Sequence, residues 1–249
     1  MKSNTWIFLR GLTRESGHWG DFVAQFQQAL PGSRVVTLDL PGNGALHGTR
    51  SPWSVAEMMA HCRAQLAARH MAPPYNLLAM SLGAMVALEW AGEAPQDLAA
   101  AVLINTSLQP FSPFWQRLRP AHYAALLRLA LFGGTPLAWE CTALRLTSKR
   151  GDASVLPRWL QLRQQHPVSR GNALRQLIAA ARYEAPRSLP RIPVLVLGSE
   201  QDSLVSVACS KALARHGAYA LRLHPDAGHD LPLDDAPWVA QQVRQWLEG

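Results

Sequence analysis

Residues 75–94 read YNLLAMSLGAMVALEWAGEA. An apolar run from Tyr75 to Met80 stops at a lone serine, Ser81, and small and apolar residues continue behind it at helical spacing. A short apolar run of this length reads as a strand covered on both faces, and the longer segment after it as a buried helix. Strand and helix therefore meet at a hydroxyl. The only small residues available to make the turn are Ala79, Gly83 and Ala84.

Working outward, five more short apolar runs read as buried strands: residues 5–11, 34–40, 99–107, 193–199 and 219–225. Helical patterns separate most of them. WGDFVAQFQQAL follows the first run. SVAEMMAHCRAQLAARH follows the second, with Ser54 as N-cap and Glu57 three residues on. VACSKALARHG follows the fifth, and APWVAQQVRQWLEG closes the chain. Strand–helix alternation of this kind predicts an α/β fold, a doubly wound, mostly parallel sheet of about six strands with right-handed crossovers. The alternation breaks once. Residues 107–190 hold four helical patterns punctuated by proline and glycine, too long for a crossover and too helical for a loop. They predict a helical insertion over the sheet, dividing the chain into a first core part (1–106), the insertion (107–190) and a second core part (191–249).

Composition narrows the function class. Of 249 residues, 48% are hydrophobic and 16% charged, which fits a large folded core and excludes a solvating, disordered chain. No apolar run approaches the ~20 residues of a membrane span. The N-terminal stretch passes directly into the first strand without a long apolar region or cleavage site, so a cytoplasmic protein without a signal peptide is expected. Cys62, Cys141 and Cys209 are odd in number and far apart, and read as buried free thiols. The net charge of +7 is uneven: residues 107–190 carry twelve Lys plus Arg against three Asp plus Glu, or +9, leaving −2 for the rest. No groove-reading motif or compact basic run supports nucleic-acid binding. The arginines are interleaved with Leu, Trp and Ala, as on a solvated helical face; the alternative is a basic rim that attracts an anionic partner. No paired C-x-x-C, H-E-x-x-H or Walker-type loop indicates a metal or nucleotide cofactor.

Ligands of open parallel sheets bind beyond the carboxyl ends of the strands, where Ser81 falls. A serine on a tight strand-to-helix turn presents its hydroxyl, and the next N–H points at an oxyanion formed on attack. The simpler alternative is a helix N-cap. The stretch Ala79-Met-Ser-Leu-Gly83 resembles the nucleophile elbow, G-x-S-x-G, of the α/β-hydrolase family, with Ala79 in place of the first glycine. Family order places an acid and then a histidine after the serine. Asp202, in the loop after the fifth strand run, resembles the family's acid, and His229, past the sixth, its base. The resemblance thus implies Ser81, Asp202 and His229 as catalytic residues, with Glu200 the nearest competing acid and Asp226 and Asp230 flanking the histidine. The other eight histidines lack a comparable setting and read mostly as surface or helix-end residues. By the same resemblance the oxyanion donors are the backbone N–H groups of Leu12 and Leu82. Arg10-Gly11 stands where the family usually has His-Gly, leaving Arg10 either to pair with a carboxylate or to face the substrate. Asp39, in a D-x-P-G-x-G turn, reads as structural. The family's early antiparallel strands are expected to be absent, and the insertion corresponds to its variable cap.

The implied activity is hydrolysis of a carboxylic ester or thioester on a small-molecule substrate, without a cofactor. Phe114 and Trp115 in the insertion are candidate substrate contacts. The size and the basic insertion are also similar to hydrolases that demethylate an acyl ester on an acidic acyl carrier protein. Carbon–carbon bond hydrolysis, cofactor-free haloperoxidase chemistry and a non-catalytic ligand-binding role are the alternatives on this fold.

Overall fold

The computed structural model of the chain describes residues 4–124, 134–186 and 188–249. Six strands form one parallel sheet in the order β2-β1-β3-β4-β5-β6. They are β1 (Thr5–Leu9), β2 (Arg34–Leu38), β3 (Tyr75–Met80), β4 (Leu98–Ile104), β5 (Val194–Ser199) and β6 (Ala220–His224). Each falls within, or one residue from, an apolar run read from the sequence.

Side chains alternate across the sheet with the two-residue period of a strand. Trp6, Phe8, Leu78, Met80, Val102, Ile104, Leu195 and Leu197 face one side, against α1 (Phe22–Ala29) and the C-terminal α10 (Ala236–Glu248). Ile7, Leu9, Leu77, Ala79, Ala101, Leu103, Val194 and Val196 face the other, against α2 (Val55–Ala68), α3 (Leu82–Glu93) and α8 (Val207–Gly217). Both faces are therefore dry, which is why these strands read as continuous apolar runs rather than as alternating ones. The start of α2 is fixed as expected: Ser54 Oγ accepts the Glu57 N–H at 3.2 Å. The first helix is shorter than its sequence pattern, because a 3₁₀ turn at Ser16–Trp19 and Gly20 (φ 53°) intervene.

Between β4 and β5 the described residues include the helices α4 (Phe114–Arg117), α5 (Pro136–Thr147), α6 (Leu156–Gln165) and α7 (Arg170–Arg182). Part of the first helical pattern expected here, residues 125–133, lies outside the described residues. The short α9 (Leu231–Asp234) precedes α10. Among the described residues no helix is long and apolar enough to cross a membrane. Cys62 and Cys209 are buried, and burial pushes the Cys62 thiol up to about 12, but Cys141 is exposed on α5, contrary to the expectation for all three.

Candidate active site

The carboxyl ends of β1, β3, β5 and β6 lead into the residues that the sequence singled out. Ser81 stands between β3 and α3 with φ 54° and ψ −119°, a region that non-glycine residues enter at a cost of about 1–3 kcal/mol. Its neighbours hold it there. The Ser81 N–H bonds Ile104 O at 2.9 Å, and Thr106 Oγ1 donates to Ser81 O at 3.0 Å, so β4 fixes the turn from the side. Gly83 lets α3 start against β1: a Cβ on it would lie 2.5 Å from Leu9 O and 2.6 Å from Arg10 O. Ala79, fully buried, fits the position that is often glycine. Leu82 opens α3, so its N–H belongs to the first helical turn, whose donors lack partners within the helix.

The loop after β1 lies on this serine. A Cβ on Gly11 would be 3.1 Å from Ser81 Cβ and 3.5 Å from Oγ, and the turn that holds Leu12 closes with Arg14 N–H to Gly11 O at 3.2 Å. Thr13 has φ 58°, and its N–H is taken by Gln176 Oε1 from α7 at 2.9 Å.

His229 Nδ1 lies 2.7 Å from Asp202 Oδ2, with both side chains buried. The other carboxylate oxygen accepts the N–H groups of Leu204 and Val205 at 2.8 and 2.9 Å. A carboxylate so held makes Nδ1 the protonated nitrogen and leaves the Nε2 lone pair free. Burial works against charge on His229, but the charge and hydrogen bond of Asp202 outweigh it. Asp230 adds in the same direction and Arg10 opposes; the net effect raises the imidazole above the usual histidine range. Glu200 and Asp226 are exposed.

Arg10 is 3% exposed and committed within the protein. Its Nη1 and Nη2 donate to Asp230 Oδ1 and Oδ2 at 3.1 and 2.5 Å, and its guanidinium lies 4.7 Å over the Trp19 ring. Phe114 and Trp115 are 64% and 52% exposed on α4 and pack edge-on against each other.

Other residues that complete this end of the sheet carry no motif. Asn105, at φ 45°, donates to Ser199 Oγ (2.9 Å) and His229 O (2.8 Å) and accepts the Ser199 N–H (2.9 Å), joining β4, β5 and the histidine loop. Glu140 of α5 is buried between Arg14 (2.6 Å) and Arg163 (2.5 Å). Gln176 of α7 is fully buried; besides holding Thr13 it donates to Asn43 Oδ1 at 2.8 Å and Ser51 Oγ at 3.1 Å. His18 and His224 are buried rather than superficial. His18 sits against Arg14 and the Trp159 ring, and His224 Nδ1 accepts the Asp226 and Ala227 N–H groups. The signal for Asn105 was a polar amide near the end of the strand run 99–107, which the structure closes at Ile104; Glu140 and Gln176 read only as polar letters on amphipathic helices.

A model of the alpha/beta hydrolase family matches residues 6–242. The chain belongs to that family. A Klebsiella pneumoniae protein named carbamate hydrolase RutD is 28% identical over 251 residues, covering 98% of this chain and 91% of its own length. A Xanthomonas campestris protein named pimeloyl-[acyl-carrier protein] methyl ester esterase is 27% identical over 250 residues, covering 92% of this chain and 90% of its own length. Among solved structures, a Mycobacterium tuberculosis protein described as the non-heme bromoperoxidase BpoC superposes with a TM-score of 0.75 at 23% identity, over 99% of this chain and 92% of its own, a likeness of fold. As an alpha/beta hydrolase, the chain has its strained serine on the strand–helix turn where the fold binds ligands.

Proposed function

We propose that this α/β hydrolase cleaves a carboxylic ester or thioester through a serine nucleophile. Ser81 Oγ attacks the carbonyl carbon while His229 Nε2 takes its proton, and Asp202 steadies the imidazolium that results. The N–H groups of Leu12 and Leu82 receive the oxyanion. The alcohol or thiol leaves with a proton from His229, and water, deprotonated by the same imidazole, releases the acid from the acyl-enzyme. The observation that carries this reading is the buried His229–Asp202 hydrogen bond of 2.7 Å. It orients the imidazole as a general base must be oriented, at the sheet end where Ser81 sits strained beside Gly11. Residues 107–190 serve in this reading as a cap domain over a core of 1–106 and 191–249, with Phe114 and Trp115 available to apolar acyl groups. Three free thiols suit the cytoplasm.

A fluorophosphonate probe tests the nucleophile. The wild-type protein should be labelled at Ser81. Ser81→Ala should lose the label and about 10⁴-fold or more of its turnover of p-nitrophenyl esters. Labelling that persists in that variant would transfer the chemistry to another residue.

A second reading is favoured by two observations together: the similarity to the pimeloyl-carrier esterase and the charge of +9 on residues 107–190. In it the substrate is an acyl ester on an acidic carrier protein, drawn in by the basic cap. Several of these arginines are already engaged internally: Arg163 with Glu140, and Arg117 with the carbonyls of Ala180 and Ala181. Steering by the remainder should make kcat/KM for a carrier-bound ester fall steeply with salt, while that for a free p-nitrophenyl ester stays flat. Equal salt responses would leave the small-molecule reading alone.

A further inference from the structure

The proposed mechanism uses Asp202 and leaves the other buried carboxylate beside His229 unexplained. Asp230 is the next residue in the chain, and Arg10 grips it from the end of β1 with a two-pronged ion pair at 3.1 and 2.5 Å, both side chains 3% exposed. Arg10 precedes Gly11, whose Cα lies against Ser81, and is two residues from Leu12. Asp230 is fixed from behind: its N–H bonds Thr147 O at the end of α5 (2.6 Å), and its carbonyl accepts the Leu233 and Asp234 N–H groups at 3.0 Å each. The pair therefore joins the loop that lies on the serine to the loop that carries His229.

We propose that Arg10 and Asp230 are positioning residues: their ion pair fixes the loop carrying the Leu12 N–H to the loop carrying His229, and keeps the local charge next to the imidazole balanced. This rests on the serine-hydrolase reading above. A buried ion pair adds little stability over a well-packed apolar pair. What it adds is geometry, because the planar guanidinium holds a carboxylate at two points and a lysine holds it at one. Charge enters separately. The charged groups around the ring are Asp202 from the loop after β5, Asp230 and Asp234 on the histidine's own segment, and Arg10 from β1. Asp234 is occupied by the Gly228 and Lys149 N–H groups and by Ser148. Arg14, farther along the loop after β1, is bound to Glu140 of the inserted segment. Asp230 favours the charged imidazole and Arg10 disfavours it, so the two partners act oppositely on the same proton.

The test is the rate of fluorophosphonate labelling at Ser81 against pH, which needs no knowledge of the substrate. Labelling requires the neutral imidazole, so the rate rises with pH through the imidazole pKa. Asp230→Asn should move this rise to lower pH and Arg10→Gln should move it to higher pH. The double variant Arg10→Gln/Asp230→Asn should bring it back close to the wild-type position. All three should label about 10- to 100-fold more slowly at their plateau, because the loops are no longer held in register. A structural role alone predicts no opposed shifts and no return in the double variant. Should a single variant fail to fold, Arg10→Lys keeps the charge and loses the second prong; its profile should stay in place while its plateau drops. Unmoved profiles in both single variants, or a wild-type plateau in Arg10→Lys, overturn the inference alone. A wild-type protein that takes no label overturns the serine-hydrolase reading with it.

Discussion

Ser81 is held at φ 54° by the residues two before and two after it, and the glycine of that pair sets the tighter limit. A methyl on Gly83 would press on two backbone carbonyls at 2.5 and 2.6 Å, neither of which can swing aside. Gly83→Ala should therefore cost about 2–3 kcal/mol or more, read as a fall in the urea midpoint. Gly11→Ala differs: its methyl meets Ser81 Cβ at 3.1 Å, a contact that small movements relieve. That variant should keep most of its stability and lose about 10- to 100-fold in kcat, because the loop is displaced from the serine. Equal stability losses in the two alanine variants would contradict this reading of the turn. The serine and its small neighbours were legible because a turn this tight admits few residue types. Asn105 was not. It read as part of the strand run 99–107, and nothing in the sequence says that its amide will join β5 to the backbone of His229, two segments more than ninety residues away.

The helices after β4 were legible one by one, and α5 follows its sequence pattern from Pro136 to Thr147. How they attach was hidden. An amphipathic reading sends polar residues outward, yet Gln176 and Asn172 of α7 and Glu140 of α5 turn inward. They find partners on loops that are over a hundred residues away in the chain. Gln176 satisfies Thr13 N–H, Asn43 Oδ1 and Ser51 Oγ, and Asn172 Oδ1 accepts the Ser51 N–H at 2.9 Å. Removing such a hub leaves several buried groups unpaired, and each costs about 1–3 kcal/mol. Gln176→Leu should then lower stability by about 2–4 kcal/mol with an unchanged denaturant slope, and lower kcat because the Thr13 turn beside Leu12 is released. A loss below about 1 kcal/mol would mean that water replaces the glutamine without penalty.

At the scale of the whole chain, the sheet followed from the sequence because buried parallel strands must be apolar on both faces, and crossover chirality leaves few ways to wind them. Ionic contacts between distant loops obey no such periodicity, so the placement of charge had to come from the structure. Two histidines show what that placement does to stability. His18 is buried, and both this and the nearby Arg14 and Arg10 hold it well below the usual histidine range. The unfolded chain takes up that proton near pH 6.5 and the folded chain does not, so His18 erodes stability as pH falls from about 6.5 toward its folded value, by up to ~1.4 kcal/mol per pH unit. His229 acts with the opposite sign. Its folded value is raised, so its contribution is complete below the unfolded value and is lost as pH rises through the folded one. Urea unfolding measured from pH 5 to pH 9 separates the two. His18→Gln should flatten the acid side of the stability profile and leave the alkaline side as it is. His229→Gln should do the reverse. Curves that run parallel to the wild type at every pH, displaced by a constant amount, would show that neither imidazole exchanges a proton differently in the folded chain.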